Sequence, residues 1–329
     1  SMTLDRDNAI WIGTSSYGMM KYDPGKQKFK LYSKDFPSSN PLGYDVGWGA
    51  TIDKNGNYWT GKAEAYGEIV KIDRESGKIK RYLQDDDPRS WFWNFRKTND
   101  GMLIWKGYPG RAENFWYKYK YDTDKFTEID FFKLFPDSVG GNWIVNSKGT
   151  YSFTPKGIKV YDGESFVLDK ELNKNFASDE ILLVGDWSLS GDLVYLLNRE
   201  SSIIYKWDVS TNLIKPFFES KNLQQSDRQS FVVYNDSLIY LTTYGFGLVE
   251  INTNQDTKSF ITVSDGLPSQ HLYEGYKGND NNLWIGSNYG IFSYNPKNKS
   301  VKSYLVADGL QDFEFNSNSS FQSQSGELI

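Results

Sequence analysis

The chain has 329 residues, a formal charge of −5 without long runs of one sign, and no cysteine. These exclude disulfides, thiol catalysis, thiolate metal sites and the basic stripe of a nucleic-acid surface. Aromatic residues make up 17% and charged residues 24%, which suits many short half-buried strands. No apolar run reaches the ~20 residues of a membrane-spanning helix and no signal peptide is visible, so no membrane contact is expected of these residues.

Ser1-Met2 reads as a cloning remnant, and the rest as one domain over 3–329. The first element is NAIWIGTSSYGMMKYDP at 8–24: a polar turn, a short apolar strand ending in Gly13, and a second strand closing on Tyr22-Asp23. Such a unit is a hairpin. Asp5-Arg6-Asp7-Asn8 is already its opening turn, leaving little room for a strand ahead of Trp11. NGNYWTGKAEAYGEIVKIDRESGKIKRY at 55–82 repeats the unit behind Asp53-Lys54-Asn55-Gly56, whose Asn and Gly tolerate the positive φ of a tight turn. MLIWKG at 102–107 keeps it with one extra residue, so Trp105 is a shifted copy of the strand tryptophan. Residues 107–121, with Pro109-Gly110-Arg111 and Phe115-Trp116-Tyr117, depart most and read as an elaborated loop or extended hairpin.

Further along, Asp137-Ser138-Val139-Gly140 precedes Asn142-Trp143 in the rhythm of the second unit. ASDEILLVGDW at 177–187 contains the run Ile181-Leu182-Leu183-Val184, which suits a buried strand better than a helix. LVYLLN at 193–198 and LIYLTT at 238–243 put Tyr195 and Tyr240 in the tryptophan place, and NLWIGSNYGIFSYNP at 282–296 is the clearest copy. With Trp11, Trp59, Trp143 and Trp284 taken as equivalent, the units recur about every 46 residues, in the range of four-stranded propeller blades. Finally, VADGLQDFEFN at 306–316 and SFQSQSGELI at 320–329 read as an innermost strand, a turn and the start of another. They complement the short first unit. The expected fold is therefore all-β: a seven-bladed β-propeller of four-stranded antiparallel blades, its ring closed by N- and C-terminal strands sharing one blade.

VSDGLPSQHLYEGYKGNDNNLWIGSNYGIFSYNP at 263–296, followed by VADGLQDFEFN, closely resembles the two-component regulator propeller repeat. In that repeat a DGLP segment leads into an innermost strand, a D-x-x-G turn, an LWIGT strand and a GL-x-x-YDP strand. The match is good at 8–24 and 48–82 and degenerate from 100 to 250. The resemblance implies the extracytoplasmic, periplasmic sensor region of an inner-membrane hybrid histidine kinase of Bacteroidetes type, a class that controls polysaccharide-use genes. It also implies a fragment, since DGLQ…EFN resembles the end of the last propeller, ahead of a β-sandwich, a membrane helix and the kinase.

No catalytic machinery is selected by the residues. His271 is the only histidine, so a Ser-His-Asp triad would have to use it. Asp85-Asp86-Asp87 is a run of the kind that forms a solvated loop. Asp53, Asn55 and Asn57, like Asp280, Asn281 and Asn282, read as turn residues, because neither set has the distal Glu of an EF-hand loop. Phosphate loops and zinc spacings are missing, and no cofactor or metal is expected.

What remains is recognition. Trp11, Trp59, Trp143 and Trp284, with Trp207 in the place of Tyr22 and Tyr294, read as packing between blades; Trp48, Trp93, Trp116 and Trp187 are left over. Counting back eleven from each strand Trp or Tyr gives a position near the start of the innermost strand, held by Trp48, Phe132, Gln229 and Tyr273, and by Trp93 once the inserted residue is allowed for. With His271, and with Arg89 and Arg228 ahead of equivalent strands, these form a candidate ligand site at the channel mouth, where aromatic rings stack on the apolar faces of sugars. The alternative is that the aromatics plug the channel or pack between sheets. The leading function is a non-catalytic module that senses an oligosaccharide or similar small ligand, touching neighbouring domains of its receptor, with a homodimer as an open option. The rivals are a propeller lyase or glycosidase with a carboxylate-lined channel, and a structural protein-contact propeller.

Overall fold

The computed structural model describes residues 2–4, 10–13, 19–22, 29, 47–62, 66–83, 86–87, 90–98, 100–107, 114–135, 142–176, 184–190, 193–198, 201–221 and 228–310, with 312, 314, 315, 320, 322, 326 and 327. Strands β1 (Met2–Leu4), β2 (Ile10–Gly13) and β3 (Met19–Tyr22) form a three-stranded sheet. Six four-stranded antiparallel sheets follow, each in chain order. Sheet two holds β4 (Gly47–Ile52), β5 (Tyr58–Lys62), β6 (Ile69–Ile72) and β7 (Ile79–Tyr82). Sheet three holds β8 (Trp91–Lys97), β9 (Gly101–Gly107), β10 (Asn114–Lys120) and β11 (Lys125–Ile129). Sheet four holds β12 (Asn142–Asn146), β13 (Gly149–Thr154), β14 (Gly157–Tyr161) and β15 (Phe166–Leu168). Sheet five holds β16 (Val184–Ser190), β17 (Leu193–Asn198), β18 (Ile203–Asp208) and β19 (Leu213–Glu219). Sheet six holds β20 (Arg228–Asn235), β21 (Leu238–Thr243), β22 (Leu248–Asn252) and β23 (Thr257–Ile261), and sheet seven β24 (Leu272–Lys277), β25 (Leu283–Ser287), β26 (Gly290–Tyr294) and β27 (Val301–Tyr304).

The first strands touch in sequence, β4 on β8, β8 on β12, β12 on β16, β16 on β20 and β20 on β24, so each is the innermost strand of a blade in a β-propeller. Six complete four-stranded blades are present among the described residues, not seven, because the first sheet has three strands there. A second correction concerns its innermost place. The sequence left little room ahead of Trp11, yet Met2-Thr3-Leu4 reaches back over the turn and pairs Met2 with Ile12, Thr3 with Trp11 and Leu4 with Ile10.

The core lies between blades. One buried cluster joins Trp59 and Ile69 of sheet two to Phe92, Met102 and Tyr119 of sheet three. Another joins Ile144 and Phe153 of sheet four to Leu196, Tyr205 and Trp207 of sheet five, and a third Tyr240 and Leu248 of sheet six to Leu283 and Phe292 of sheet seven. The repeated Trp-x-Gly has a steric reason. A Cβ on Gly61 would lie 2.0 Å from the Phe92 carbonyl oxygen, so only glycine lets the next innermost strand pass. Trp59 is held by the turn before it: the Asp53 carboxylate accepts from Trp59 Nε1 at 2.9 Å, Asn57 Nδ2 at 3.1 Å and the Asn55 and Asn57 amides at 2.9 Å. This is the turn role expected for Asp53, Asn55 and Asn57.

Tyr195 and Tyr240 are buried on the second strands β17 and β21, as expected, and Trp59 and Trp207 are buried core. Trp143 is buried too, but on β12, the innermost strand and not the second. Blade four places Ser152 opposite Trp143, and the tryptophan instead stacks on Trp116 of the preceding blade, ring centres 4.4 Å apart. Asp137–Gly140, whose rhythm suggested the phase, lie outside the described residues. The departure at 107–121 is an extended hairpin, with β9 and β10 paired over seven residues from Gly101↔Lys120 to Asn114↔Gly107.

After β23 and after β27 the chain makes the same short 3-10 turn, ending on Gly266 (φ 99) and Gly309 (φ 103), with Asp265 and Asp308 capping the backbone three residues earlier. The first of these turns leads into β24. Beyond the second, the Phe315 amide donates to the Ser287 carbonyl at 3.2 Å. A Cβ on Gly286 would meet Phe315 at 3.4 Å, the place Phe92 holds beside Gly61. Ser320 Oγ is 3.0 Å from the Tyr276 hydroxyl, Gln322 Nε2 donates to the Lys277 carbonyl, and Glu327 bonds Tyr58 and Arg74 of sheet two. On the outer side Phe29 meets Tyr304 edge-on at 5.5 Å while Tyr304 stacks on Trp284. Phe126, Tyr82 and Trp59 make the same trio between sheets two and three.

Candidate functional site

Register divides the turns between two faces. Gly47 pairs with Lys62, Arg228 with Thr243 and Leu272 with Ser287, so the start of each innermost strand and the end of each second strand share one face, here the upper one. The first-to-second and third-to-fourth turns lie on the lower face. There Asp73, Asp162, Asp208, Asn252 and Asn295 each accept backbone N–H groups two or three residues on. Asn146, Asn235 and Asp280 do the same in the other set of lower turns. Short Asx side chains favour such turns because they replace a missing backbone partner.

The upper face differs in kind. Tyr66 after β5, Tyr244 and Phe246 after β21, and Tyr289 after β25 are 48–49% exposed. The exposed Val263 and Val306 lie on the same face, in the 3-10 turns. The other large apolar side chains exposed among the described residues are Phe132 and those on the outer strands β15, β19 and β23. Each aromatic hairpin is tied to the start of an innermost strand. Gly67 donates to Ser90 Oγ at 2.9 Å, Gly245 and Gly247 donate to the Gln270 carbonyl at 3.0 and 3.1 Å, and Asn288 donates to the His271 carbonyl at 3.3 Å. The rings are thus held by backbone and not carried on a free loop.

Three residues gather at the junction of blades six and seven. His271 is half-buried and packs edge-on against Tyr244 at 4.5 Å, and the Tyr244 ring lies 6.1 Å from that of Tyr273. Tyr273 is buried on β24, and that burial pushes its phenol up, with Tyr244 and Glu314 adding to the effect. Beside them Asn288 Oδ1 is a buried acceptor with no hydrogen-bond partner among the described residues. Underneath, the Gly275 amide donates to Ser230 Oγ at 3.0 Å and the Ser230 amide to Thr242 Oγ1 at 3.0 Å, locking β20 to β24.

Of the residues expected at the channel mouth, His271 and Tyr273 are brought together. Gln229 is exposed at a bulge in β20 between Arg228 and Ser230. Trp48 pairs with Gly61, Trp93 with Trp105 and Arg228 with Thr243, all near the upper ends of innermost strands, as the spacing required. Their side chains, like that of Trp187, are not among those described, and Arg89 lies outside the described residues. Phe132 is a correction. It belongs to no innermost strand but to the helix α1 (Phe131–Leu134), is 64% exposed, and has its amide capped by Asp130. Counting back from Trp143 misplaced it because Trp143 is on the wrong strand for that count.

Tyr66, Tyr244, Phe246 and Tyr289 were not in the expected set. The signal was present: Tyr-Gly recurs at Tyr17-Gly18, Tyr66-Gly67, Tyr244-Gly245 and Tyr289-Gly290, each shortly after a second strand. Among the described residues no group of three or more His, Asp or Glu side chains is placed to hold a metal ion, and no helix is long and apolar enough to cross a membrane.

No family model matches the chain, and no curated protein matches it. Among solved structures it is similar to the extracellular domain of a putative one-component system from B. thetaiotaomicron, at 13% identity and a TM-score of 0.49. It is also similar to that of a putative hybrid two-component system from the same organism, at 15% and 0.48. Both matches cover 100% of this chain and 49% of the other, so the chain spans about half the length of these proteins. YCF48 bound to D1 peptide matches at 10% identity and a TM-score of 0.52 over 84% of this chain and 88% of that one, a likeness of fold.

Proposed function

We propose that this chain is a non-catalytic recognition propeller, the ligand-sensing part of an extracytoplasmic two-component receptor, and that its upper face takes up an oligosaccharide. The observation that carries this reading is the gathering of Tyr66, Tyr244, Phe246 and Tyr289, half-exposed, on one face while the lower turns are built from Asp and Asn. Half-exposed rings leave apolar surface in water, and a ligand is a simple reason to keep them there. Signalling would follow from differential binding: a saccharide on the upper face favours one arrangement of this propeller against a neighbouring domain or a second copy, and only that difference is transmitted. The test is titration with a panel of neutral and acidic oligosaccharides, read by calorimetry. Binding that Tyr244→Ala and Tyr289→Ala both weaken supports the reading; product release from the glycans, lost on one carboxylate substitution, would return the enzyme reading.

We infer also that the ring closes through the C-terminal residues, between blade seven and blade two. Support comes from Phe315 beside Gly286, from Glu327 on Tyr58 and Arg74, and from Phe29 on Tyr304. Removing residues 317–329 should lower the melting temperature sharply. An unchanged melt would mean that these contacts do not hold the ring.

A further inference from the structure

The upper hairpins of blades four, six and seven close in the same way but differ at their tips. In each, a hydroxyl at the end of the second strand accepts from a backbone amide of the tip and donates to the glycine carbonyl that leads into the third strand. Thr154 Oγ1 accepts from the Lys156 amide at 3.2 Å and donates to Gly157 at 2.9 Å. Thr243 Oγ1 does so with Phe246 at 3.1 Å and Gly247 at 2.7 Å, and Ser287 Oγ with Tyr289 at 3.0 Å and Gly290 at 2.9 Å. The turn therefore closes equally on Pro155-Lys156 in blade four, on Tyr244-Gly245-Phe246 in blade six and on Asn288-Tyr289 in blade seven. Blade five, with Arg199-Glu200-Ser201-Ser202 at this place, has no aromatic tip either. Exposed rings are thus confined to particular blades by something other than the needs of the hairpin, and two of those blades, six and seven, are neighbours.

Across their boundary the rings form one band. A backbone bridge between Tyr244 and His271 joins the tip of blade six to the entry of β24. The ring contacts at 4.5 and 6.1 Å continue the band from Tyr244 to His271 and Tyr273, and the bond from the Asn288 amide to the His271 carbonyl carries it to Tyr289. Tyr244 and Tyr289 stand on adjacent sheets, and packed sheets lie about 10 Å apart, more than a single sugar ring spans. We propose that the upper face binds its ligand as an extended chain laid across the boundary of blades six and seven, with Tyr244 and Tyr289 stacking on different units of it, so that the ligand class is a linear oligosaccharide and not a single sugar. This rests on the saccharide reading above and adds where the chain lies and why its length matters. Stacking tolerates any unit that presents an apolar face, so such a band selects for length more than for composition.

The probes are the malto-, xylo-, cello- and galacturono-oligosaccharide series, each from monomer to hexamer, and the readout is calorimetric affinity. Within at least one series the affinity should climb about tenfold or more from monomer to hexamer, as the second stacking ring is engaged. Tyr244→Ala and Tyr289→Ala should each remove that climb, whereas Tyr244→Phe, which keeps the ring, and Lys156→Ala on blade four should preserve it. Tyr244→Leu and Tyr289→Leu keep apolar volume without a flat ring, so they should lose the climb as well and stand in for any alanine variant that fails to fold. The proposal is overturned, with the recognition reading intact, if the monomer binds as tightly as the hexamer, if the climb survives in the alanine or leucine variants, or if Lys156→Ala removes it. If no member of any series binds, the saccharide reading and the chain proposal fall together.

Discussion

The two faces of this propeller are built from the same hairpins, yet their turns have opposite chemistry. On the lower face the recurring element is an Asp or Asn whose side chain closes a tight turn, as at Asp73, Asp162, Asp208 and Asn295. On the upper face it is a tyrosine standing half in solvent on a hairpin anchored to the start of an innermost strand, as at Tyr66 and Tyr244. The lower turns satisfy their own backbone and spend their polar groups internally. The upper turns leave surface unspent. The lower face thus carries the side chains that close the turns, and the upper face is the one proposed for recognition.

The largest test of this division is Trp59→Ala. It removes a buried indole that stacks on Tyr82 and packs on Tyr119, and should cost about 3–5 kcal/mol in urea unfolding. Next is Asp53→Ala, which leaves Trp59 Nε1 and the Asn57 amide as buried donors without partners. About 2–3 kcal/mol is expected, and a loss under half of that would mean the lower turn is not what fixes the tryptophan. On the upper face the comparison reverses. Tyr244→Ala and Tyr289→Ala should each change stability by less than ~0.5 kcal/mol and weaken saccharide binding by about 1–3 kcal/mol, by analogy with base stacking. A large drop in melting temperature with unchanged binding would make these rings packing and erase the contrast.

The smallest effect is a pH dependence on the lower face. Asp124 accepts from the Tyr82 and Tyr119 hydroxyls at 2.6 Å and pairs with Lys80. Partial burial works against its charge, but the hydrogen bonds from Lys80, Tyr119 and Tyr82 prevail and hold its carboxyl at about 2. A depressed value of this kind stabilises the fold at pH above the unfolded value near 4 and is lost as pH falls through about 2. The side chain is 41% exposed, so solvent screening leaves under ~1 kcal/mol. Melting temperatures of the unsubstituted protein and Asp124→Asn should therefore differ at pH 6 and converge at pH 2; a constant gap would assign the difference to geometry and not to charge.

Much of the architecture was legible where the repeat keeps its turn and its tryptophan together. Asp53 to Trp59, and Asp280 to Trp284, announce a second strand because one carboxylate orders both the turn and the indole. Blade four broke the reading because the aromatic volume moved by one strand: Ser152 faces Trp143, and Trp116 fills the gap from the blade before. That error put Phe132 on an innermost strand, whereas it belongs to α1. For the candidate site, strand phase put Tyr273 on an innermost strand, with His271 just ahead of it, but it could not weigh the hairpin tyrosines, whose exposure depends on where neighbouring backbones cross.

Five of the six buried clusters among the described residues are shared between two adjacent sheets, the exception being the small Val70–Ile72 cluster within sheet two, and this bears on how such a chain tolerates damage. Most of the core belongs to pairs of blades, so stability is largely a chain of nearest-neighbour terms. Excising sheet five would remove both the Ile144–Trp207 cluster and the Tyr195–Ile239 cluster at one stroke, exposing two unmatched flanks. Such flanks are complementary to those of another damaged copy. A cut through the middle of this array of blades is thus expected to yield self-associating halves, whereas a cut within one upper hairpin would leave every shared interface in place.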